Sequence, residues 1–409
     1  ATIESARRQA SQCGFDLSLD RYRMGWDVLD RLTTAYIRTA LVQLGAFQVA
    51  GATEDSQSLS AATGIKPEFD RLMQRWLDRL AELGLLTRTG SRYQAGAPLT
   101  ALPLEPLLAE ADQVFGPDRA MLDWVVACGT DLTGYLTGRI STLETLFPGG
   151  SFERAENIYQ HAPMSRYFAE IGRAAFEAVV RTRRGPVRVV EIGAGTAATS
   201  AALMPVLPDD GSEYHVTDVS DFFLNHGREK FAGIAGVRFG KLDIEKPGGP
   251  QGYPDGSFDV VVATNVFHAT RDLRDTLRRA KALLGPGGVL ILCEVTEYLS
   301  WFDITTGLIE GWQLFEDGIR GDHPLIAESV WRGLLEEVGF DGVVAFPEAG
   351  SPAEVLGQHV LLGFVGGTPT RRESVVEVVE TTGPTDDQVA AADAGDDILA
   401  ELAGASDGD

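Results

Sequence analysis

An α/β architecture, with an open and mostly parallel sheet behind a mainly helical N-terminal subdomain, is the fold class that this sequence predicts on three observations. Between residues 187 and 364, short runs rich in Val, Ile and Leu alternate with stretches of helical period. One run, Val187, Val189 and Val190, leads straight into Glu191-Ile-Gly-Ala-Gly-Thr196 and then into the small residues Ala197 to Leu203, which reads as strand, glycine turn and helix. Near the N-terminus Trp26, Leu29, Leu32, Tyr36, Leu41 and Leu44 recur at helical spacing instead. With 409 residues, 44% of them hydrophobic, the chain can build two ordinary domains with their cores.

Residues 1–150 form the helical subdomain. After its first long helix come a polar stretch (Glu54 to Ser58), a turn of helix (Leu59 to Gly64), a longer helix carrying Phe69, Leu72, Trp76, Leu80 and Leu83, and a hairpin reaching Tyr93. That order resembles a winged helix, a frequent DNA-binding unit. No basic recognition face accompanies it, so a lid or substrate-gripping role is expected. Residues 151–366 hold the sheet, with strands near 187–192, 213–217, 236–242, 258–264, 288–295, 342–346 and 358–364 and helices between most of them. Residues 367–409 read as an acidic linker: from Arg371 onward eleven acids face two arginines among Ala, Asp, Gly and Thr, and only Asp396 to Leu402 keeps a short helical pattern.

A formal net charge of −24 argues against nucleic acid, which needs a basic face. The three cysteines, Cys13, Cys128 and Cys293, lie far apart without a CxxC, so neither a disulfide framework nor a zinc site is expected and the compartment reads as reducing and cytoplasmic. There is no signal-peptide pattern and no apolar run near 18 residues, so membrane insertion is not expected. The first residue is Ala, which suggests a chain cut from something longer.

The glycine turn points to a nucleotide-like cofactor. Gly193 and Gly195, with Ala194 between them, let backbone approach a ligand, and the helix that follows offers unpaired N–H groups. Gly193-x-Gly195-x-x-Ala198 also satisfies the looser dinucleotide fingerprint. Three acids count against that reading. Glu191 ends the strand before the turn, where a pyrophosphate is unwelcome and a ligand ammonium is welcome. Asp218 ends the next strand, where it can take both hydroxyls of a ribose. Asp243, followed by Ile244, closes the third, where an adenine amino group needs an acceptor. Together they suit an adenosyl ligand carrying an amino acid, S-adenosylmethionine; the competing reading of Asp218 and Asp243 is simple helix capping.

Methyl transfer from a sulfonium is an in-line displacement, so the protein must align the acceptor and remove its proton. His268, just beyond the strand 258–263 on the ligand side, is the expected base. Glu294, at the end of the neighbouring strand, can hold its imidazole in one tautomer and raise its basicity. His161, His215, His226, His323 and His359 show no such pairing in the sequence, nor metal-ligand spacing.

Several segments carry a family resemblance: Glu191-Ile-Gly-Ala-Gly-Thr, Thr217-Asp-Val-Ser-Asp-Phe-Phe, Leu242-Asp-Ile-Glu, Gln251-Gly, Phe258-Asp-Val-Val-Val, Asn265-Val-Phe-His-Ala-Thr-Arg-Asp-Leu and Gly285-Pro-Gly-Gly. They resemble the S-adenosylmethionine methyltransferase domains of modular polyketide synthases, a class I, Rossmann-like fold. Leu146-Phe-Pro-Gly-Gly and Tyr159-Gln-His-Ala-Pro resemble the helical lid of that family. The match runs from about residue 25 to 366. The resemblance implies that Gly193, Gly195, Asp218, Asp243 and Asn265 hold the cofactor, with Phe222 or Phe223 near its adenine. It implies His268 and Glu294 as the catalytic pair, and Tyr159 as an active-site tyrosine. The implied substrate is an acyl chain on the phosphopantetheine arm of an acyl carrier protein, and the implied partners are that carrier and neighbouring synthase domains.

Two departures matter. Members usually read Gly-Gly after Gly-Thr, where this chain has Ala197 and Ala198. In Leu308-Ile-Glu-Gly-Trp-Gln313, carbon-methylating members usually have a second Trp in place of Gln313. With Thr305 and Thr306 nearby, the segment looks more polar than theirs. The carrier-leading resemblance of Ile398-Leu-Ala-Glu-Leu402 points the same way. The first expectation is therefore O-methylation of a β-hydroxyl or enol, and the second is C-methylation at the α-carbon of a β-ketoacyl chain. A catalytically dead scaffold is the third. Arg271, Arg274, Arg278 and Lys281 stripe one helix and suggest either carrier docking or a solvated face.

Overall fold

The computed structural model describes residues 1–367 except Cys13, Phe15 and Glu310; the acidic linker, with its Asp396 to Leu402 pattern, lies outside the described residues. Seven strands form one sheet in the order β6-β5-β4-β7-β8-β10-β9. They are β4 (Arg188–Ile192), β5 (Glu213–Asp218), β6 (Val237–Lys241), β7 (Phe258–Thr264), β8 (Leu284–Val295), β9 (Asp341–Phe346) and β10 (Gln358–Phe364). The first five in spatial order pair in parallel, while β10 runs antiparallel between β8 and β9. β4 shows why: Val189, Val190, Glu191 and Ile192 are all buried, as in a strand covered on both faces.

Three more strands, β1 (Thr53–Glu54), β2 (Leu86–Thr89) and β3 (Arg92–Ala95), make the small sheet β1-β3-β2 of the winged-helix unit. Its first helix, Ser56–Thr63, starts on a capping box in which Asp55 accepts from the Ser58 N–H and the Ser58 hydroxyl accepts from the Asp55 N–H. The second, Asp70–Glu82, buries Leu72, Met73, Trp76, Leu77 and Leu80. Its arginines turn to other parts of the protein. Arg75 reaches Asp303, Arg79 reaches Asp30, and Arg71 donates to the carbonyls of Gln313 and Phe315.

The border at residue 150 is not the border the apolar cores follow. Ala6, Ala10, Leu17 and Tyr22 pack with the helix Pro163–Thr182 on one face of the large sheet. Conversely Trp301, Phe302, Ile304, Leu308, Trp312 and Leu325 join the core of the N-terminal subdomain. The other sheet face is covered by the helices Leu273–Leu283 and Glu328–Glu337, through Leu277, Ala280, Trp331 and Leu335. Among the described residues no helix is long and apolar enough to cross a membrane, and no cluster of side chains could hold a metal ion.

Candidate active site

Parallel pairing brings the C-terminal ends of β4, β5, β6, β7 and β8 to one edge of the sheet, where ligands bind in open α/β folds. The glycine turn sits there. Gly193 has φ +65° and a Cβ on it would stand 2.6 Å from Val266 Cγ2; Gly195 has φ +52° and its missing Cβ would face open space. Glycine is therefore needed at 193 for conformation and room, and at 195 for conformation and ligand access. The turn is fastened to the next strand end: the Ala194 N–H donates to the Thr217 carbonyl at 2.9 Å and the Gly195 N–H to Asp218 Oδ2 at 3.0 Å. Ala197, in place of the family's usual glycine, also adopts a left-handed φ of +56°.

Asp218 is buried, which pushes its pKa up against the pull of the N–H groups of Gly195 and Ser220. Asp243 is half-buried, with Oδ1 accepting from the Glu245 N–H at 2.9 Å and Oδ2 3.1 Å from Lys246 Nζ. Gln251 grips the Asp243 backbone at both its N–H and its carbonyl, 2.8 and 2.9 Å. Ile244 is buried beside it. Asn265, at φ +53°, bridges the ends of β7 and β8: its N–H donates to the Cys293 carbonyl and its Oδ1 accepts from the Val295 N–H at 3.1 Å. A short polar side chain tolerates that backbone better than most. Phe222 and Phe223 pack edge-on against Phe147, and Phe222 stacks on Phe152 at 4.7 Å, closing this end with aromatic carbon.

Glu191 needs a correction. Its carboxylate is 2% exposed, and its Oε2 accepts hydrogen bonds from the hydroxyls of Ser200 and Tyr214. Burial raises its pKa to about 7. Its geometry supports the turn; a free acceptor for an ammonium it does not present.

His268 is 7% exposed and Glu294 0%. His268 Nδ1 lies 2.6 Å from Glu294 Oε2, while Glu294 Oε1 accepts the N–H groups of Val266 and Phe267 at 3.1 and 2.8 Å. A carboxylate so held only accepts, so Nδ1 donates and Nε2 is the nitrogen left for proton transfer. From behind, Arg320 donates to the carbonyls of His268, Thr270 and Arg271 and pairs with Asp317 at 2.7 Å. Trp312 stands against the imidazole, centroids 5.2 Å apart at 71°. Tyr159, on the π-helical turn Asn157–His161, lines a cavity of about 160 Å³ with Gln160, Arg166 and the alanines of the helix Ala198–Leu203. Among the described residues it is not one of the side chains bonded to or stacked on His268.

The polar character read into residues 305–313 is also corrected. Gln313 is engaged inside the protein: Oε1 accepts from Arg75 at 3.2 Å and Nε2 donates to the Gly307 carbonyl at 3.1 Å. The Thr305 hydroxyl donates to the Trp301 carbonyl at 2.9 Å. Among the described residues of this segment, the Thr306 hydroxyl and the Trp312 indole N–H are buried without a partner. Three of the histidines expected to be unpaired have carboxylate neighbours, His215 with Glu213 and His226 with Glu156, both at 3.3 Å, and His323 with Asp322 at 3.9 Å. On the arginine stripe, Arg274 pairs with Glu337, Arg278 with Asp275 and Arg271 with Glu316, while Lys281 donates to the carbonyls of Val338 and Gly339. That is the pattern of a solvated, neutralised face.

Sequence reasoning missed Arg320, Asp317, Trp312 and the buried Arg75–Asp303 pair. A signal was present for the last: Asp303 is a lone acid inside Trp301-Phe-Asp-Ile304, and such an acid is buried only when paired.

Comparison with known proteins agrees with this geometry. A family model described as a methyltransferase domain matches residues 190–290. The chain is 33% identical over 316 residues to the polyketide synthase ThaQ of Burkholderia thailandensis, covering 73% of this chain but only 15% of that synthase. The crystal structure of the CurJ carbon methyltransferase superposes with a TM-score of 0.82 at 29% identity, covering 89% of this chain and 97% of that one. The DszA carbon methyltransferase superposes at 0.77 and 28% identity, over 90% and 97%. The chain belongs to the S-adenosylmethionine-dependent methyltransferase domains of polyketide synthases.

Proposed function

We propose that this domain methylates the α-carbon of a β-ketoacyl chain held on the phosphopantetheine arm of an acyl carrier protein, with His268 as general base and Glu294 as its orienting partner. The observation that carries the choice is the engagement of Gln313 and Thr305. The groups that favoured a hydroxyl-bearing acceptor are bonded to Arg75, Gly307 and Trp301, which leaves Trp312 as the side chain packed edge-on against the base. The likeness to two carbon methyltransferases over nearly their whole length supports the same reading. O-methylation stays the second reading on one observation, the unpartnered Thr306 hydroxyl.

The residues present fit the cofactor: an open cradle at Gly195, a carboxylate at Asp218, and an apolar wall at Ile244, Phe222 and Phe223. When bound, S-adenosylmethionine supplies a methyl group on a positively charged sulfur. Gly193, Ala194 and Gly195 would hold its amino-acid end through backbone, Asp218 its ribose, and Asp243, Ile244 and the two phenylalanines its adenine. Asn265 would brace the strand ends beneath. Neighbouring synthase domains would present the carrier, and a reducing cytoplasm suits the buried free thiols of Cys128 and Cys293.

His268 Nε2 removes the proton, and Glu294 stabilises the imidazolium that forms. Alignment is worth about 7–11 kcal/mol in such reactions and the base about 10²–10⁴-fold. The test is intact-mass analysis of carriers loaded with a β-ketoacyl or a β-hydroxyacyl chain. A mass gain of one CH2, the net result of a methyl replacing a hydrogen, on the ketoacyl carrier with fragmentation at the α-carbon is expected. Gain on the hydroxyacyl carrier alone would replace this reading with the second.

A further inference from the structure

We infer that the indole N–H of Trp312 is the hydrogen-bond donor that takes up the charge of the enolate when His268 removes the α-proton. This rests on the carbon-methylation reading. When the proton leaves the α-carbon, the C–H electron pair moves into the enolate and negative charge collects on the β-carbonyl oxygen. A donor placed there, away from water, stabilises it.

The groups around His268 leave few candidates. Glu294 only accepts. Arg320 spends both Nη groups on three carbonyls and Asp317 behind the histidine, and its Nε–H, buried without a partner, belongs to that same guanidinium rather than to a ring in contact with the imidazole. Gln313 and Thr305 are engaged as described. Trp312 Nε1 is a buried donor without a partner, on a ring 6% exposed and in contact with the His268 imidazole. Other indole N–H groups are also unpaired, among them those of Trp124 and Trp301, but these two rings pack edge-on against each other, with Trp301 stacked on Trp26.

The ring is held in place from the N-terminal subdomain. Phe302 packs on it at 5.7 Å, and Phe302 precedes Asp303, whose Oδ1 accepts twice from the buried Arg75 guanidinium. The next residue along, Gln313, accepts from the same arginine at its side chain and from Arg71 at its carbonyl. A donor meant for an oxygen that exists only during reaction has to be preorganised in this way.

The experiment is deuterium wash-in at the α-carbon of a β-ketoacyl pantetheine in heavy water, with the full protein and no S-adenosylmethionine, followed by mass. Wild type is expected to accelerate exchange above the buffer rate. Trp312→Phe, which keeps a ring and deletes the N–H, is expected to lower that acceleration roughly 100-fold, with S-adenosylmethionine affinity and thermal midpoint near wild type. Trp301→Phe, which deletes an equivalent N–H farther along the aromatic row, is expected to stay within about twofold. Equal rates for Trp312→Phe and wild type, or equal slowing by both variants, would overturn the assignment.

Should Trp312→Phe melt early, wild-type protein with ¹⁵N-labelled indoles answers instead. One indole N–H resonance is expected to move downfield on adding a nitronate analogue of the enolate, and no movement overturns the proposal. Absence of both wild-type exchange and α-methylation would sink the carbon-methylation reading itself, a result distinct from loss of the Trp312 role alone.

Discussion

At the cofactor side of the cleft the ties that fasten the glycine turn and Asn265 run between neighbouring strand ends: Ala194 to Thr217, Gly195 to Asp218, Asn265 to Val295. At the substrate side the ties cross the chain. Arg75 reaches Asp303 and Gln313 from a helix more than 220 residues earlier, and Ser300 donates to Asp30 at 2.7 Å. The first side follows from the topology of the parallel sheet and works wherever that sheet forms. The second exists only when the N-terminal subdomain docks, so acceptor choice can change while cofactor binding stays fixed.

The contrast can be broken at its chemical centre. His268→Ala should lower single-turnover methyl transfer by about 10²–10⁴-fold, read by intact carrier mass, while S-adenosylmethionine affinity by calorimetry stays within about twofold. Breaking the buried pair with Asp303→Ala leaves the Arg75 charge unmatched and should cost about 3–5 kcal/mol in denaturant unfolding. Replacing both partners, as Arg75→Met with Asp303→Leu, should recover most of that loss in the same assay.

On the cofactor side, Glu191 gives a pH test. Its folded pKa of about 7 lies above the ordinary carboxylate range, so the folded state holds the proton more tightly than the unfolded chain. That contribution is complete at pH 4 and is lost as pH rises through 7. It amounts to about 3 kcal/mol at most. Thermal midpoints of wild type should therefore fall between pH 5 and 8 relative to Glu191→Gln, and parallel curves would refute it. Gly193→Ala, forced into φ +65° and onto Val266, should cost about 2 kcal/mol and weaken cofactor affinity, the reverse of the His268 pattern. Least of all, Arg274→Ala, on the exposed helix and paired with Glu337, should change stability by under about 0.5 kcal/mol and leave carrier turnover unaltered.

What could be read in the sequence follows the same division. The seven strands, the glycine turn, the acids at three strand ends and the approach of His268 to Glu294 are consequences of local period and parallel pairing, and all are present in the fold. The direction of Glu191 was not legible, because Ser200 and Tyr214 compete for its carboxylate only after β4 and β5 pair. Nor was Gln313. Its composition looks polar in a sequence, yet whether an amide faces a substrate or an arginine depends on a helix that begins at Asp70.

The interleaved cores have a bearing on recombination between synthases. Residues 301–325 complete the apolar interior of the N-terminal subdomain, and the first helix, Thr2–Ala10, covers the large sheet. A chimera joined at residue 150 would thus separate each segment from the surface it seals, and grafting an acceptor preference onto another scaffold requires moving the segment after β8 together with its N-terminal counterpart.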